Sequence, residues 1–327
     1  MRWQPFDETL TLRSTWGEGF LQPSLFQLFG SSFSGFGGFV GDTPVTVNTN
    51  PALQPEDSRN FTAGVVYTPK FLPGMTLSFD IWNIETTAVV YLPDDIKVLL
   101  RDERGTLLPG EAVFHDPATG EVTRIIKTYQ NGGAQHARGV DLGLQYQVQT
   151  SYGTFTSLTQ ATYLDSFREA PSAGAPAVEL SNAAFGVSAD ALLKWKGISR
   201  LDWRWKGFDL VVTARYTAGF HEILFHDPAF PDGKKEHWVD GTWFFDAQAT
   251  YDFNGANPLG SAPPANLVAL GWKNWLENTS VTIGCNNVFG QDPPKAYGNS
   301  FSNPFGYPAA IYDPTGRFVY ITLKMKF

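Results

Sequence analysis

The chain has 327 residues, of which 43% are hydrophobic, 15% aromatic and only 17% charged. Its formal net charge of −8 argues against nucleic acid as a partner, because phosphate binding requires a basic face. A single cysteine, Cys285, excludes an intramolecular disulfide, and no apolar run reaches the roughly 18 residues of a transmembrane helix.

Alternation of apolar and polar residues predicts an all-β chain. Successive side chains of a strand point to opposite faces, so this alternation identifies a strand with one apolar and one polar side. Residues 75–81 show it clearly, since Met75, Leu77, Phe79 and Ile81 fall on one face. Ten strands are predicted in this way, at residues 7–16, 58–68, 75–91, 123–149, 152–165, 195–205, 208–219, 238–252, 278–288 and 317–327.

The polar side of residues 140–149 narrows the choice of fold. It consists of Asp141, Gly143 and three glutamines, whereas the other side carries valines, leucines and a tyrosine. Such a face has no place in a packed sandwich core. It suits either the outside of a soluble sheet or the watery inside of a wide barrel.

The lengths of the connections favour the barrel. Long Gly- and Pro-rich stretches, predicted as loops, alternate with tight turns such as Lys206-Gly207, and only residues 253–277 break this rule. Long loops on one side and short turns on the other are typical of outer-membrane barrels. The predicted strands run ten or more residues, and a tilted strand needs about 9 to 11 residues to cross a bilayer. The prediction is an antiparallel transmembrane β-barrel with long extracellular loops and mostly short periplasmic turns.

The last stretch, Arg317–Phe327, fits the same interpretation. Val319, Ile321, Leu323, Met325 and Phe327 fall on one face. A terminal aromatic residue is unusual in a soluble protein, whose termini fray in water. In a barrel, this strand would pair with its neighbours and turn its apolar face to lipid.

Five segments, taken in order, resemble those of TonB-dependent outer-membrane receptors. The departures are Asp141 and Ala63, where glutamate is common, and Cys285, where valine is common. The segments are Gly19–Leu28 (GFLQPSLFQL), Asn50–Gly64 (NPALQPEDSRNFTAG), Asn131–Leu144 (NGGAQHARGVDLGL), Gly284–Pro294 (GCNNVFGQDPP) and the closing Tyr312–Phe327.

The resemblance implies a particular place for the chain in a larger protein. It identifies residues 1–327 as the C-terminal portion of the barrel, about ten strands of a family barrel of 22. It also implies that the plug domain, the first half of the barrel and a signal peptide lie outside these residues. We therefore expect a truncated chain, a split gene product or a piece of a longer receptor.

The resemblance also implies a function without covalent chemistry. Receptors of this family sit in the outer membrane of Gram-negative bacteria and take up scarce, bulky ligands such as iron–siderophore complexes, cobalamin or glycans. The expected partners are outer-membrane lipid and a small-molecule ligand, with the TonB complex reached only through the missing N-terminal part. No enzyme activity, no catalytic residue, no metal site and no cofactor is expected.

Two loops offer candidate ligand contacts. The three phenylalanines Phe33, Phe36 and Phe39 in a glycine-rich loop could stack on a ring or a sugar. The histidines His221, His226 and His237 lie in or beside another loop, but their spacing matches no compact metal motif. The strand carboxylates Asp165, Asp202, Asp246 and Asp252 are expected to face the barrel interior.

Two alternatives remain open at this point. One is a plugless, porin-like or adhesive outer-membrane barrel. The other is a secreted β-rich enzyme or carbohydrate-binding module, whose wet face should then carry a catalytic pair rather than glutamine and threonine.

Overall fold

The computed structural model describes residues 1–5, 7–36, 43–93, 95–170, 176–185, 192–225, 234–253, 279–296, 306–309 and 311–325. The two helices are α1 (Leu25–Phe29) and α2 (Asp95–Glu103). In chain order the strands are β1 (Arg2–Trp3), β2 (Leu10–Leu21), β3 (Phe33–Phe36), β4 (Pro44–Asn48), β5 (Glu56–Tyr67), β6 (Met75–Tyr91), β7 (Ala112–His115), β8 (Val122–Thr128), β9 (Gln130–Thr150), β10 (Gly153–Ala170), β11 (Val178–Glu179), β12 (Ala183–Phe185), β13 (Trp195–Trp205), β14 (Phe208–Thr217), β15 (Phe220–Phe225), β16 (Lys234–Val239), β17 (Thr242–Asp252), β18 (Thr279–Asn286) and β19 (Phe318–Met325).

One large antiparallel sheet carries the architecture. Its strands follow the order β1-β2-β5-β6-β9-β10-β13-β14-β17-β18-β19, and β11 pairs with β10. Within the described residues, ten of these strands have eight or more residues, and they correspond to the ten predicted strands. The prediction of one strand over 123–149 was wrong in its first part, because Val122–Thr128 is a separate strand, β8, of another sheet and β9 begins at Gln130. Each long strand pairs with the long strand that precedes it in the chain, as expected of an up-and-down barrel wall. No helix in the described part of the chain is long and apolar enough to cross a bilayer.

The sheet has an apolar face and a polar face. On the apolar face, large side chains are open to the surroundings, for example Phe79, Leu201 and Ile321, of which Ile321 is 72% exposed. The polar face carries Asp80, Gln145 and their neighbours in register. A large exposed apolar surface of this kind requires an apolar environment, because soluble proteins rarely show such patches.

Aromatic side chains form two bands across the apolar face. At the end with the tight turns, the ring centres of Phe155 and Trp203 are 6.3 Å apart, and those of Phe208 and Tyr251 are 4.8 Å apart. At the loop end, Tyr163–Trp195 and Tyr216–Trp243 are each 4.7 Å apart. On each strand the two bands are eight positions apart, about 26 Å along the strand. Outer-membrane barrels carry such girdles on both sides of an apolar band about 25 Å tall.

Two glycines let polar side chains reach across a strand on the polar face. Gly64 on β5 lies between Arg13 and Asp80, and Arg13 spans it to form a two-pronged ion pair at 2.7 and 2.5 Å. Gly284 on β18 lies in the same way beneath Tyr320, whose hydroxyl is 3.2 Å from the Gln248 amide oxygen on β17. A β-carbon at Gly64 would overlap the Asp80 carboxylate, and one at Gly284 would overlap the Tyr320 ring.

The first two long connections contain more structure than the sequence predicted. The prediction of loops at 17–57 and 92–122 was wrong, because the first segment contains β3 and β4 and the second contains α2 and β7. Strands β3, β4, β8 and β7 form a four-stranded sheet in which β4 and β8 run parallel. We call this sheet and α2 the cap. Its core is Val45, Val98 and Ile125, all buried. Each segment is too short for its alternation to reveal a pairing such as that of Val45 with Ile125, which lie 80 positions apart in the sequence.

A smaller sheet replaces a third predicted loop. Strands β15 and β16 form a hairpin where a loop was predicted at 220–237, and β12 pairs with β15 in parallel. Phe220 and Val239, each 1% exposed, pack with Leu193 and Ala296. The loop end of the main sheet therefore carries two folded units among the described residues.

A buried ion pair stabilises the cap and supports a prediction. The Glu111 side chain is fully buried and bonds Arg101 at 2.6 Å and the Leu108 backbone N–H at 3.0 Å. In Glu111→Ala, Arg101, whose side chain is only 18% exposed, would lose its buried partner. Breaking such a pair costs up to roughly 3–5 kcal/mol. We expect hydrogen exchange to accelerate throughout α2, β7 and β8 while the main sheet stays protected. The control Glu121→Ala removes an exposed glutamate from the same region and should leave exchange unchanged.

Candidate functional site

The polar face bears a large cleft near the loop end of the sheet. It has a volume of about 810 Å³ and lies between β10, β13, β14, β17 and the segment 311–318. We call it the polar-face cleft. Lining side chains that carry charges or hydrogen-bonding groups are Gln160, Thr162, Lys196, Arg215, Tyr216, Thr217, Asp246, Asn286, Asn287, Tyr312, Asp313 and Thr315. Its size falls within the range of about 300–1,000 Å³ common for ligand pockets.

Asp246 is the structural centre of the polar-face cleft. It accepts hydrogen bonds from Arg215 Nε at 2.9 Å and from Arg215 Nη2 at 3.1 Å. It also accepts the backbone N–H of Asn287 at 2.8 Å. Asn287 is 4% exposed, has a φ of 53° and holds the following turn through two bonds with the Gln291 backbone. The Asp246 carboxylate thus holds both the Arg215 guanidinium and the turn that begins at Asn287.

The segment 311–318 closes one side of the cleft with an aromatic and a carboxylate. Tyr312 is buried, its ring lies 6.0 Å from Phe244, and burial raises the pKa of its hydroxyl. Hydrogen bonds from the Thr315 hydroxyl and N–H lower the pKa of Asp313, so this carboxylate stays charged at neutral pH. The cleft therefore presents fixed charges of both signs beside aromatic rings, which can bind a polar ligand.

The predicted phenylalanine contacts lie in and beside the cap. Phe33 stands on β3, is 47% exposed and has its ring 6.1 Å from that of Phe26. The backbone of Phe36 ends the same strand. Phe39 lies outside the described residues. Phe33 is thus available at the surface, and it is not among the residues that line the polar-face cleft.

The predicted histidines lie in the second folded unit. His221 is exposed on β15, and its ring meets Trp238 edge-on at 4.8 Å. The register pairs His237 with Glu222 rather than with His221. His226 lies outside the described residues. Across the described part of the chain, no three His, Cys, Asp or Glu side chains are grouped closely enough to hold a metal ion.

The strand carboxylates are mostly paired with arginines, which the sequence did not reveal. Asp246 forms an ion pair with Arg215, and Asp202 forms one with Arg204 at 3.0 Å. Both aspartates lie on the polar face, as expected. The expectation for Asp165 was wrong. Asp165 sits at a β-bulge, and its carboxylate lies 2.7 Å from Arg138 Nε. Arg138 lies two positions before Val140 on β9 and therefore on the same, apolar face. Asp252 pairs in register with Ser280. Alternation along β10 in fact puts Asp165 on the side of Tyr163, so the expectation was wrong because it rested on the residue type rather than on the alternation.

Comparison with known proteins decides the family. Residues 1–288 match the family model described as "TonB dependent receptor-like, beta-barrel". The chain belongs to the TonB-dependent receptor family. Members of this family are outer-membrane proteins of Gram-negative bacteria, so the apolar face of this receptor chain meets lipid, and its polar face lines the barrel interior. The family and fold are those of receptors and transporters.

Relatives of this receptor chain are longer than the chain itself. A curated relative, the heme/hemopexin utilization protein C of Haemophilus influenzae, is 30% identical over 155 residues, covering 44% of this chain and 19% of the relative. The solved siderophore receptor PirA of Acinetobacter baumannii matches 99% of this chain and 40% of its own (TM-score 0.59, 14% identity). A variant of the ferric enterobactin receptor PfeA of Pseudomonas aeruginosa, in complex with enterobactin, matches 98% and 39% (TM-score 0.61, 14% identity). The chain spans about two fifths of these structures.

Glu179, on the loop side of the receptor wall, gives a pH-dependent prediction. Burial opposes its charge, but hydrogen bonds from Ser166, Ser181 and the Phe167 backbone outweigh burial and lower the pKa of Glu179 from 4.5 to about 2. A lowered pKa contributes stability that is present above the ordinary value and is lost as the pH falls towards the folded value. We expect amide protection of β11 to disappear between pH about 4.5 and 2. In Glu179→Gln this protection should be weak throughout and insensitive to pH over that range, as hydrogen exchange would show.

Proposed function

We propose that the chain forms the C-terminal part of the barrel wall of a receptor that uses TonB-derived energy to carry a scarce, bulky ligand across the outer membrane. The ligand is an iron–siderophore complex, heme, cobalamin or a glycan. The TonB complex would act through a plug domain supplied outside residues 1–327. The receptor would perform no covalent chemistry and would be no enzyme.

The polar-face cleft is the observation that carries this proposal. It lies on the wall of the barrel interior, at the loop end, where a ligand entering from outside would pass. Its charges are held by fixed partners, as in the Arg215–Asp246 pair, so a ligand meets a preorganised surface. The names of relatives, which refer to heme, siderophore and enterobactin, favour a metal chelate over the other ligand classes.

The aromatic and histidine residues predicted as ligand contacts would meet the ligand first. We propose that Phe33, Phe36 and Phe39 stack on the ligand, and that His221, His226 and His237 line its approach. The 47% exposure of Phe33 supports this role, because a ring left in water gains free energy when a ligand covers it.

Uptake of radioactive iron by the native organism tests the proposal. We would compare cells whose gene is intact with cells in which the codons for residues 1–327 are deleted in frame, with heme and ferric enterobactin as probes. Uptake of one probe should be lost after the deletion and also after inactivation of TonB. A probe taken up equally by all three strains would contradict a role for the chain in its transport.

An interior-facing variant refines the same experiment. Thr162→Trp would place an indole into the polar-face cleft and should reduce uptake severalfold by obstructing it. The control Thr156→Trp lies on the polar face of the same strand, six positions away and outside the lining. Equal effects of the two substitutions would show that the cleft has no special part in passage.

A further inference from the structure

His115 joins separate parts of the cap. It is the last residue of β7, and residues 116–121, which we call the tip, connect it to β8. The imidazole Nε2 lies 2.8 Å from the Asp102 carboxylate near the end of α2, and Nδ1 lies 3.1 Å from the Gly120 carbonyl oxygen in the tip. One ring therefore bridges the helix and the tip of the β7–β8 hairpin.

Both atoms that face this ring are hydrogen-bond acceptors. A charged carboxylate and a backbone carbonyl accept hydrogen bonds but cannot donate them. The doubly protonated imidazole of His115 can donate to both, whereas the neutral ring has a single N–H and turns a lone pair towards the other oxygen. Loss of a proton from His115 therefore replaces one of the two hydrogen bonds with a repulsive contact.

The other ion pairs between α2 and the hairpin contain no histidine. Lys127 on β8 lies 2.6 Å from Asp95, and Arg101 lies 2.6 Å from Glu111, with no side chain of the two pairs more than 18% exposed. Histidine is the residue type whose ordinary pKa lies near neutral pH. The body of the hairpin is thus held to α2 by largely buried ion pairs, and the tip is held through His115.

Asp102 is the charged group that acts on His115 at short range. Its hydrogen bond, together with the one from the Gly120 carbonyl, raises the pKa of His115 above the ordinary value of 6.5. A raised pKa contributes stability that is fully present below the ordinary value and is lost as the pH rises through the folded value. Among the described residues, His115 bonds none of the other charged side chains on α2 near Asp102, in the tip and on β8, which are Arg101, Glu103, Asp116, Glu121 and Arg124.

These contacts describe a device that responds to proton concentration at the surface of the cap. The His115 side chain is 44% exposed, so it exchanges protons with the surrounding water. We propose that His115 is a pH-dependent latch, which holds the tip against α2 while both ring nitrogens are protonated and releases it when one proton is lost. Release would affect the tip alone, because the ion pairs of Lys127 and Arg101 keep β7 and β8 attached to α2.

Hydrogen exchange of the full chain in detergent micelles, at about pH 5.5 and about pH 8.5, tests the latch. Rates are expressed as protection factors, which removes the intrinsic effect of pH on exchange. The N–H groups of Asp116 and Gly120, both bonded within the tip, should lose protection about threefold at the higher pH, a size expected of a surface ion pair. Protection of α2 should be the same at both pH values, which also shows that the cap remains folded.

Two variants separate the latch from other titrating groups. In His115→Gln the tip should be equally protected at both pH values, whereas the control His136→Gln, which removes a histidine of β9 outside the cap, should keep the pH dependence of the unaltered chain. In Asp102→Asn the midpoint of the change should move to lower pH, because the partner of the imidazolium has lost its charge. Equal protection of the tip at both pH values in the unaltered chain would overturn the proposal. So would an undiminished pH dependence in His115→Gln, or an unchanged midpoint in Asp102→Asn.

Discussion

Replacing Gly64 with alanine is expected to lower the free energy of unfolding by about 3 kcal/mol. The new β-carbon would overlap the Asp80 carboxylate and lie 2.6 Å from the Phe79 carbonyl oxygen. Overpacking of this kind costs about 1–3 kcal/mol, and it would also displace the carboxylate from Arg13, whose ion pair spans the glycine. Urea titration of the chain folded in phospholipid bilayers, followed by tryptophan fluorescence, measures the change.

The neighbouring strand β2, which pairs with β5, provides the matched control for Gly64. Gly17 lies on β2, and a β-carbon there would meet no heavy atom within 4 Å. Gly17→Ala should therefore be neutral or slightly stabilising, since glycine within a strand costs about 0.5–1 kcal/mol relative to alanine. If the two substitutions had equal effects, the arrangement of Arg13 and Asp80 across β5 would be wrong. In the background of Asp80→Ala, Gly64→Ala should cost less than it does alone.

Replacing Asp246 with alanine is expected to destabilise the chain by about 2–3 kcal/mol and to loosen the turn after β18. The substitution removes the partner of Arg215, and that ion pair is partly screened because the arginine is 47% exposed. It also leaves the buried N–H of Asn287 unsatisfied, which costs about 1–3 kcal/mol. Urea titration should show the loss of stability, and hydrogen exchange should show faster exchange at residues 287–291.

Two further substitutions separate these contributions. Asp246→Asn keeps an oxygen for the Asn287 N–H, so the turn should stay protected while part of the stability is lost. Asp313→Ala removes an exposed carboxylate from the same cleft, whose bonds go to the nearby Thr315, and should cost less than about 0.5 kcal/mol. An Asp246→Ala variant as stable as Asp313→Ala would contradict the central place of Asp246 in the polar-face cleft.

The main sheet could be predicted from the sequence because its strands are long and two-faced. The alternation covers residues 75–81 in β6, 140–149 in β9 and 200–205 in β13, and a shift by one residue would turn the whole apolar set to the wrong side. The turn at Lys206-Gly207 was likewise evident, and Lys206 adopts a φ of 53° there. Local signals sufficed where each strand pairs with the next long strand in the chain.

The cap and the polar-face cleft could not be predicted in this way. Val45 and Ile125 pair in parallel although they lie far apart in sequence, and neither flanking segment is long enough to show a period. The polar-face cleft depends on which arginine meets which aspartate across neighbouring strands, as Arg215 meets Asp246, and this requires the register. The predicted contacts Phe33 and His221 stay predictions, because they rested on residue type in a loop rather than on an arrangement.

The most direct test of the account is to measure which side of β14 meets lipid. In the background Cys285→Ser, single cysteines at Val212→Cys on the apolar face and Thr213→Cys on the polar face would carry a spin label in chains reconstituted into phospholipid bilayers. We predict that the label at position 212 is relaxed mainly by oxygen dissolved in the lipid, and the label at position 213 mainly by a water-soluble nickel chelate. Equal access of the nickel chelate to both labels would contradict a barrel wall with its apolar face in the membrane.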